Sequence, residues 1–171
     1  MPPQSRRWSS KAAAFWGTAA AVVILDQLTK AIIRGALDVG QSWPEDWPVR
    51  FKHVTNTGAA FSSLQDQTTF LIVMAFFGLA AIYLYYRNPP FNHWAASVAI
   101  GLMLGGAVGN LIDRIRVGEV TDFVDVFGFP KFNVADSSIS VGVTVVIIGY
   151  LLFSDHPKKS QFPNEDAPAD G

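Results

Sequence analysis

Residues Val120 to Ser138 read VTDFVDVFGFPKFNVADSS and lie between two long apolar runs. Three carboxylates, Asp122, Asp125 and Asp136, fall within this stretch. Gly128 and Pro130 interrupt its middle, which predicts a loop or short hairpin rather than a helix. Two serines and the apolar run Ile139 to Phe153 follow Asp136, so this residue is expected at or near a helix N-terminus, where Asp caps well. A turn through the intervening residues would bring Asp122 beside Asp136. Two such carboxylates at the edge of a low-dielectric phase repel one another and need a chemical reason to be there. Whether Asp125 shares a face with Asp122 depends on the backbone. A strand puts them on opposite faces and a helical turn puts them on one, and the sequence alone leaves both open.

Upstream, the run from Trp94 to Ile112 ends in Gly109-Asn110-Leu111-Ile112-Asp113-Arg114. Asn110 and Arg114 share a helix face at this spacing, and the Arg114 guanidinium suits a peptide carbonyl or a carboxylate. Gly101, Gly105 and Gly109 recur every fourth residue, a spacing that lets another helix approach closely. A further apolar run covers Thr69 to Tyr86. The connection 34–68 is too long to be idle in a compact protein. It holds Trp43-Pro44 and Trp47-Pro48, suited to a membrane interface. Its alternating stretch Val49 to Val54 reads as a strand, and the small-residue block Asn56-Thr57-Gly58-Ala59-Ala60-Phe61 follows. The first run, Ala12 to Ile33, ends in Asp26-Gln27-Leu28-Thr29-Lys30, with Asp26 and Lys30 spaced to pair on one helix face. Such a pair either snorkels toward the headgroups or faces the bundle and supports the stretch 120–138.

These runs predict four membrane spans at about 12–33, 69–86, 94–112 and 138–154 within a single polytopic domain, 1–171, followed by a disordered tail at about 155–171. A secretory signal is the competing reading of the first run. It loses because that run is long and three more follow. The composition agrees: 50 % of the 171 residues are hydrophobic and 16 % charged, where soluble domains average about 25 % charged. A net charge of −1 gives no basic footprint for nucleic acid. The absence of cysteine excludes disulfides and thiolate metal sites. His53, His93 and His156 match no metal spacing and read as surface or interfacial residues. No metal or cofactor is expected. The basic arm Arg6, Arg7, Lys11 places both termini in the cytoplasm and the two long loops outside.

In order along the chain, the blocks at 26–30, 56–61, 105–114, 120–123 and 132–137 resemble the signature blocks of the bacterial signal peptidase II (lipoprotein signal peptidase) family. The resemblance implies an all-α membrane protein with four transmembrane helices and a small extracytoplasmic β-rich platform. It implies an aspartyl endopeptidase of the bacterial cell membrane that removes signal peptides from diacylglyceryl-modified prolipoproteins just before the lipidated cysteine. It favours Asp122 and Asp136 as the catalytic pair and Asn56, Asn110, Arg114 and Asn133 as polar residues around it. Asp26, Lys30 and Gly58 are implied as supporting positions. The partners implied are the prolipoprotein and membrane lipids, and the enzyme is expected to act as a monomer.

The residues support such chemistry in their own right. Two close carboxylates share one proton and titrate as a pair. The ionised member then activates water and the protonated one steadies the oxyanion. The rival reading is a small proton or ion transporter relaying through Asp26, Asp113, Asp122 and Asp136. A relay needs polar groups at mid-bilayer in more than one helix, and 69–86 and 94–109 offer almost none.

Overall fold

The computed structural model describes residues 4–58, 68–88 and 93–153. It contains α1 (Gln4–Ala36), β1 (Ser42–Trp43), β2 (Val49–Asn56), α2 (Thr68–Arg87), α3 (Trp94–Arg116), β3 (Val120–Val126) and α4 (Val134–Phe153). All four helices are long and apolar enough to cross a membrane. Even the shortest, at 20 residues, rises about 30 Å, the thickness of a bilayer core. The expected tail at 155–171 and the residues Ala59 to Phe61 lie outside the described residues.

The helix bounds differ from the hydropathy reading mostly where polar residues continue a helix. The helix α1 runs on through Arg34, and α3 runs on through Asp113 to Arg116. Asp113 there is 1 % exposed and paired, so its charge gives the helix no reason to stop. The start of α4 moves from 138 back to Val134 because Asn133 caps it.

The helix α3 lies at the centre, packed against α1 and α4, with α2 against its remaining side. The glycine spacing makes this possible. A Cβ at Gly105 would stand 2.6 Å from Val22 Cβ, and one at Gly101 would stand 2.6 Å from Phe15 O. Gly106 gives the same clearance to α4, against Ala135 O. By contrast, α2 buries none of its residues. An apolar helix so placed is covered by lipid, which has no reason to exclude it. At the end of the bundle away from the sheet, Phe15 stacks on Tyr86 at 3.9 Å.

The strands form one antiparallel sheet in the order β1-β2-β3. A bulge between Phe51 and Val54 resets the register, so that Val54 lies opposite Asp122 and Asn56 opposite Val120. The turn after β3 has Phe127 at φ 51 and Gly128 at φ 76, with Phe129 N–H donating to Val126 O. Left-handed conformations at both central residues suit a tight hairpin turn. The chain then returns, and Phe132 bridges to Val124. Trp43, Trp47, Phe127 and Phe129 are all more than half exposed at this end of the molecule, as interfacial aromatics are. His53 is a correction: it is 6 % exposed, its Nδ1 lies 2.9 Å from Leu37 O, and it fastens β2 to the turn after α1.

Candidate active site

Asp26, Lys30 and Arg34 follow one another at four-residue intervals on α1, and Gln27 lies seven before Arg34. The helix therefore turns all four toward α3. The Lys30 ammonium is fully buried and spends its donors on three acceptors. These are Asp26 Oδ2 at 2.9 Å, Asp113 Oδ2 at 3.1 Å and Asn110 Oδ1 at 2.9 Å. Of the two sequence readings of Asp26 and Lys30, the structure takes the bundle-facing one.

Each of the two carboxylates paired with Lys30 anchors a different element. Asp26 Oδ1 accepts the Ala135 N–H at 3.0 Å, which ties down the start of α4. Asp113 Oδ2 accepts the Thr121 N–H at 3.2 Å, which ties down β3. Asp113 Oδ1 accepts from Gln27 Nε2 at 3.2 Å and faces Arg34 Nη1 at 3.5 Å, while Arg34 also donates to Thr121 Oγ1 at 3.0 Å. A charge buried this deeply is tolerable only when paired and hydrogen-bonded, and the network supplies both.

Asp122 and Asp136 stand above it. Asn133 joins them. Its Nδ2 donates to Asp122 Oδ1 at 2.7 Å, and its backbone N–H donates to Asp136 Oδ2 at 3.2 Å. Asn133 Oδ1 in turn accepts the Asp136 N–H at 2.9 Å, so the two residues cap α4 reciprocally. Asp136 is thus the third residue of α4 rather than its cap, and Asn133 is the cap. The other carboxylate oxygens are held from elsewhere: Asn110 Nδ2 donates to Asp136 Oδ1 at 2.8 Å, and Asn56 Nδ2 donates to Asp122 Oδ2 at 2.9 Å. Asn56 is itself fixed by the Gly58 N–H on its Oδ1 at 3.0 Å, so its amide group can only point its donors at Asp122.

The structure also separates Asp122 from Asp125. Residues 120–126 are a strand, so the two face opposite ways. Asp122 lines a cavity of about 760 Å³ together with Asn56, Gly58, Asn110, Arg114 and Asp136. Asp125 is buried against Arg50 Nε at 2.9 Å, with Lys131 Nζ at 3.6 Å. Burial raises the pKa of Asp125, but the Arg50 hydrogen bond and the Lys131 and Arg50 charges outweigh it and hold the carboxyl below its usual range. Asp122 goes the other way. Burial first, and the Asp136 charge with it, push Asp122 up to about 6 against the opposing hydrogen bonds from Asn56 and Asn133 and the Lys30 charge.

The residues singled out from sequence therefore fall into two groups. Asp122, Asp136, Asn56, Gly58, Asn110 and Arg114 surround the cavity, and Asn133, Asp26 and Lys30 hold its floor. Sequence reasoning left Gln27, Arg34 and Thr121 out of the site and gave Asp113 no supporting role. The four-residue spacing from Asp26 through Lys30 continues to Arg34 and is a signal for that residue alone; no comparable spacing marks Thr121. Among the described residues, all the buried charges of the helices lie at this one end. Between 69 and 86 and between 94 and 109 there is no Asp, Glu, Lys or Arg, so no charged relay crosses the bundle.

The family model described as signal peptidase (SPase) II matches residues 18–152. A lipoprotein signal peptidase of Dehalococcoides mccartyi is 41 % identical over 144 residues, which cover 82 % of this chain and 90 % of the relative. One from Staphylococcus aureus is 40 % identical over 147 residues, covering 82 % and 89 %. The chain is also similar to a bacterial membrane enzyme solved by the in meso method at 2.3 Å resolution. The TM-score is 0.74 at 36 % identity, over 85 % of this chain and 92 % of that one.

Proposed function

This chain belongs to the signal peptidase II family of membrane aspartic endopeptidases, and we propose that it cuts prolipoproteins with Asp122 and Asp136 as its catalytic pair. The observation that carries this reading is Asn133, which holds one carboxylate by its side chain and the other by its backbone at the wall of a single cavity. Both carboxylates line this cavity, where a water or a substrate carbonyl can reach them.

The reactive form of the pair carries one proton between its members. Asp122, pushed up to about 6, is assigned as its carrier, so this form grows scarcer as pH rises above about 6. Asp136 takes a proton from water as that water attacks the scissile carbonyl, and Asp122 donates a hydrogen bond to the developing oxyanion. Collapse of the tetrahedral intermediate breaks the C–N bond. The proton taken up by Asp136 passes to the leaving amine of the lipid-bearing cysteine, and the signal peptide leaves with a new carboxylate. The amides of Asn56, Asn110 and Asn133 fix both carboxylates beforehand, so little reorganisation is needed during reaction. Arg114 lines the same cavity.

The basic N-terminal arm supports a cytoplasmic position for both termini and an extracytoplasmic position for the site. There the substrate's acyl chains remain in the bilayer while its cleavage point reaches water. The test is mass spectrometry of the products formed from a diacylglyceryl-modified prolipoprotein and from its unlipidated precursor. Wild type should cut only the lipidated form, just before the cysteine. Asp122→Asn and Asp136→Asn should each lose at least about a thousandfold in rate, with the double variant hardly worse, because the two act as a unit. Asp125→Asn should keep most of its activity. Cleavage of both precursors alike, or an inactive Asp125→Asn beside an active Asp122→Asn, would reject this assignment.

A further inference from the structure

Two cationic side chains line the catalytic cavity, Lys131 and Arg114. Lys131 faces Asp125 at 3.6 Å and is engaged away from the pair. The Arg114 guanidinium makes no hydrogen bond or ion pair with any described residue, although its charge lies within electrostatic reach of Asp136 and Asp122. It sits one helical turn beyond Asn110, which holds Asp136, so its position relative to the pair is set by α3. A half-buried guanidinium with no hydrogen-bonding partner among the described residues, where the Asn56, Asn110 and Asn133 amides and both carboxylates are engaged, is in place for a ligand group that arrives during the reaction.

Peptide hydrolysis supplies such a group. Adding water across the scissile bond turns a neutral carbonyl into a carboxylate on the departing signal peptide and leaves an amine on the mature chain. Guanidinium and carboxylate match in a two-pronged geometry that a neutral amide cannot reproduce. The carbonyl before cleavage offers one acceptor atom, and the carboxylate after it offers two and a charge. We propose that Arg114 is the receptor for the new C-terminal carboxylate of the cleaved signal peptide, so that the enzyme holds this product more tightly than the same segment of uncut substrate. This inference rests on the peptidase reading above. It gives the site a built-in product inhibition, relieved when the freed signal peptide is removed from the membrane.

The probes are two synthetic peptides of one prolipoprotein signal sequence, both ending at the residue before the cysteine. One carries a C-terminal carboxylate and the other a carboxamide. Affinity is measured by titration onto the purified full-length protein in detergent. Wild type is expected to prefer the acid by roughly ten- to a hundredfold, the range of a charge-assisted hydrogen bond. Arg114→Gln should bind the two peptides equally, with the amide's affinity little changed. Arg114→Lys should keep part of the preference, since it keeps the charge without the fork. Retained amide binding by Arg114→Gln shows that the variant is folded. Equal binding of acid and amide by wild type, or an undiminished preference in Arg114→Gln, overturns the inference and leaves the peptidase reading standing. Failure of wild type to bind either peptide overturns both.

Discussion

The surroundings of Asp122 set its titration, and with it the pH dependence expected of the proposed reaction. Burial and the Asp136 charge raise its pKa from 3.8 to about 6, while the Asn56 hydrogen bond acts the other way by favouring the ionised form. If Asp122 must be protonated to assist the oxyanion, kcat/KM falls on the alkaline side as that proton is lost. Asn56→Ala removes a bond that stabilises the charged form, so the alkaline limb should move to higher pH, whatever happens to the maximal rate. A limb that stays in place or moves down would exclude Asp122 as the proton carrier. Stability follows the same sign. A carboxyl whose folded pKa is raised contributes stability that is fully present below about 3.8 and lost as pH rises through about 6, on the order of 3 kcal/mol in all. The thermal midpoint of wild type in detergent should therefore fall across that window, and Asp122→Asn should flatten the fall. At this scale the sequence revealed which residue types mattered but not all their partners. Spacing alone leaves the faces of Asp122 and Asp125 open, the resemblance favours Asp122, and the strand puts the two on opposite faces. Gln27, Arg34 and Thr121 have no assigned role from the sequence because that role exists only once α1, α3 and β3 meet at Asp113.

Among the elements, the start of α4 and the upper half of α1 are coupled through Asp26. The Asn133-x-x-Asp136 spacing was present in the sequence as a capping box, but the apolar run beginning at Ile139 drew the helix start inward. Hydropathy marks where a helix is lipid-soluble, whereas capping marks where it begins. Gly109 is the point at which this coupling is most exposed to test. A Cβ there would lie 2.5 Å from Asp26 Oδ2, between α3 and the carboxylate that holds Ala135 N–H. Gly109→Ala should shift Asp26, loosen the start of α4 and with it Asp136. The expected cost is about 1–3 kcal/mol in stability, as for overpacking elsewhere, with a larger loss of activity than that destabilisation explains. Gly78→Ala in α2 is the matched comparison, because nothing lies within 4 Å of its added Cβ. That variant should melt at or slightly above wild type and cleave normally. Equal behaviour of the two variants would mean that the Asp26 contact does not position α4. Lys30→Met attacks the same coupling from its centre. Removing the shared cation leaves Asp26 and Asp113 buried without it, a change that costs about 3–5 kcal/mol in comparable pairs.

For the whole molecule, the four spans and the site's position at one end of the bundle were legible because both follow from where charge is absent. The sheet was less so. Its middle strand showed as alternation at Val49–Val54, but the register that puts Asn56 near Asp122 depends on a bulge with no sequence mark of its own. Orientation in the membrane is a different kind of question, since cations lie at both ends of the bundle. Arg6, Arg7, Lys11 and Arg87 belong to one end, and Lys30, Arg34, Arg50, Lys52, Arg114, Arg116 and Lys131 to the other. Of the second set, Lys30, Arg34, Arg50 and Lys131 are bound in ion pairs within the fold. Lys30 and Arg34 are thereby tied to Asp26 and Asp113, and Arg50 and Lys131 to Asp125, so none of the four is a free loop charge and the arm before the first span is expected to decide the orientation. The sheet end should therefore face outward. The chain has no cysteine, so single cysteines report without background. Asp46→Cys and Phe127→Cys lie at exposed positions on the sheet end, and Asn88→Cys lies at an exposed position just past the opposite end of α2. In intact spheroplasts an impermeant maleimide should label the first two and spare Asn88→Cys until the membrane is opened. Labelling of Asn88→Cys alone would turn the molecule over. The carboxylate pair would then face the cytoplasm, on the wrong side for a precursor whose mature part has already crossed.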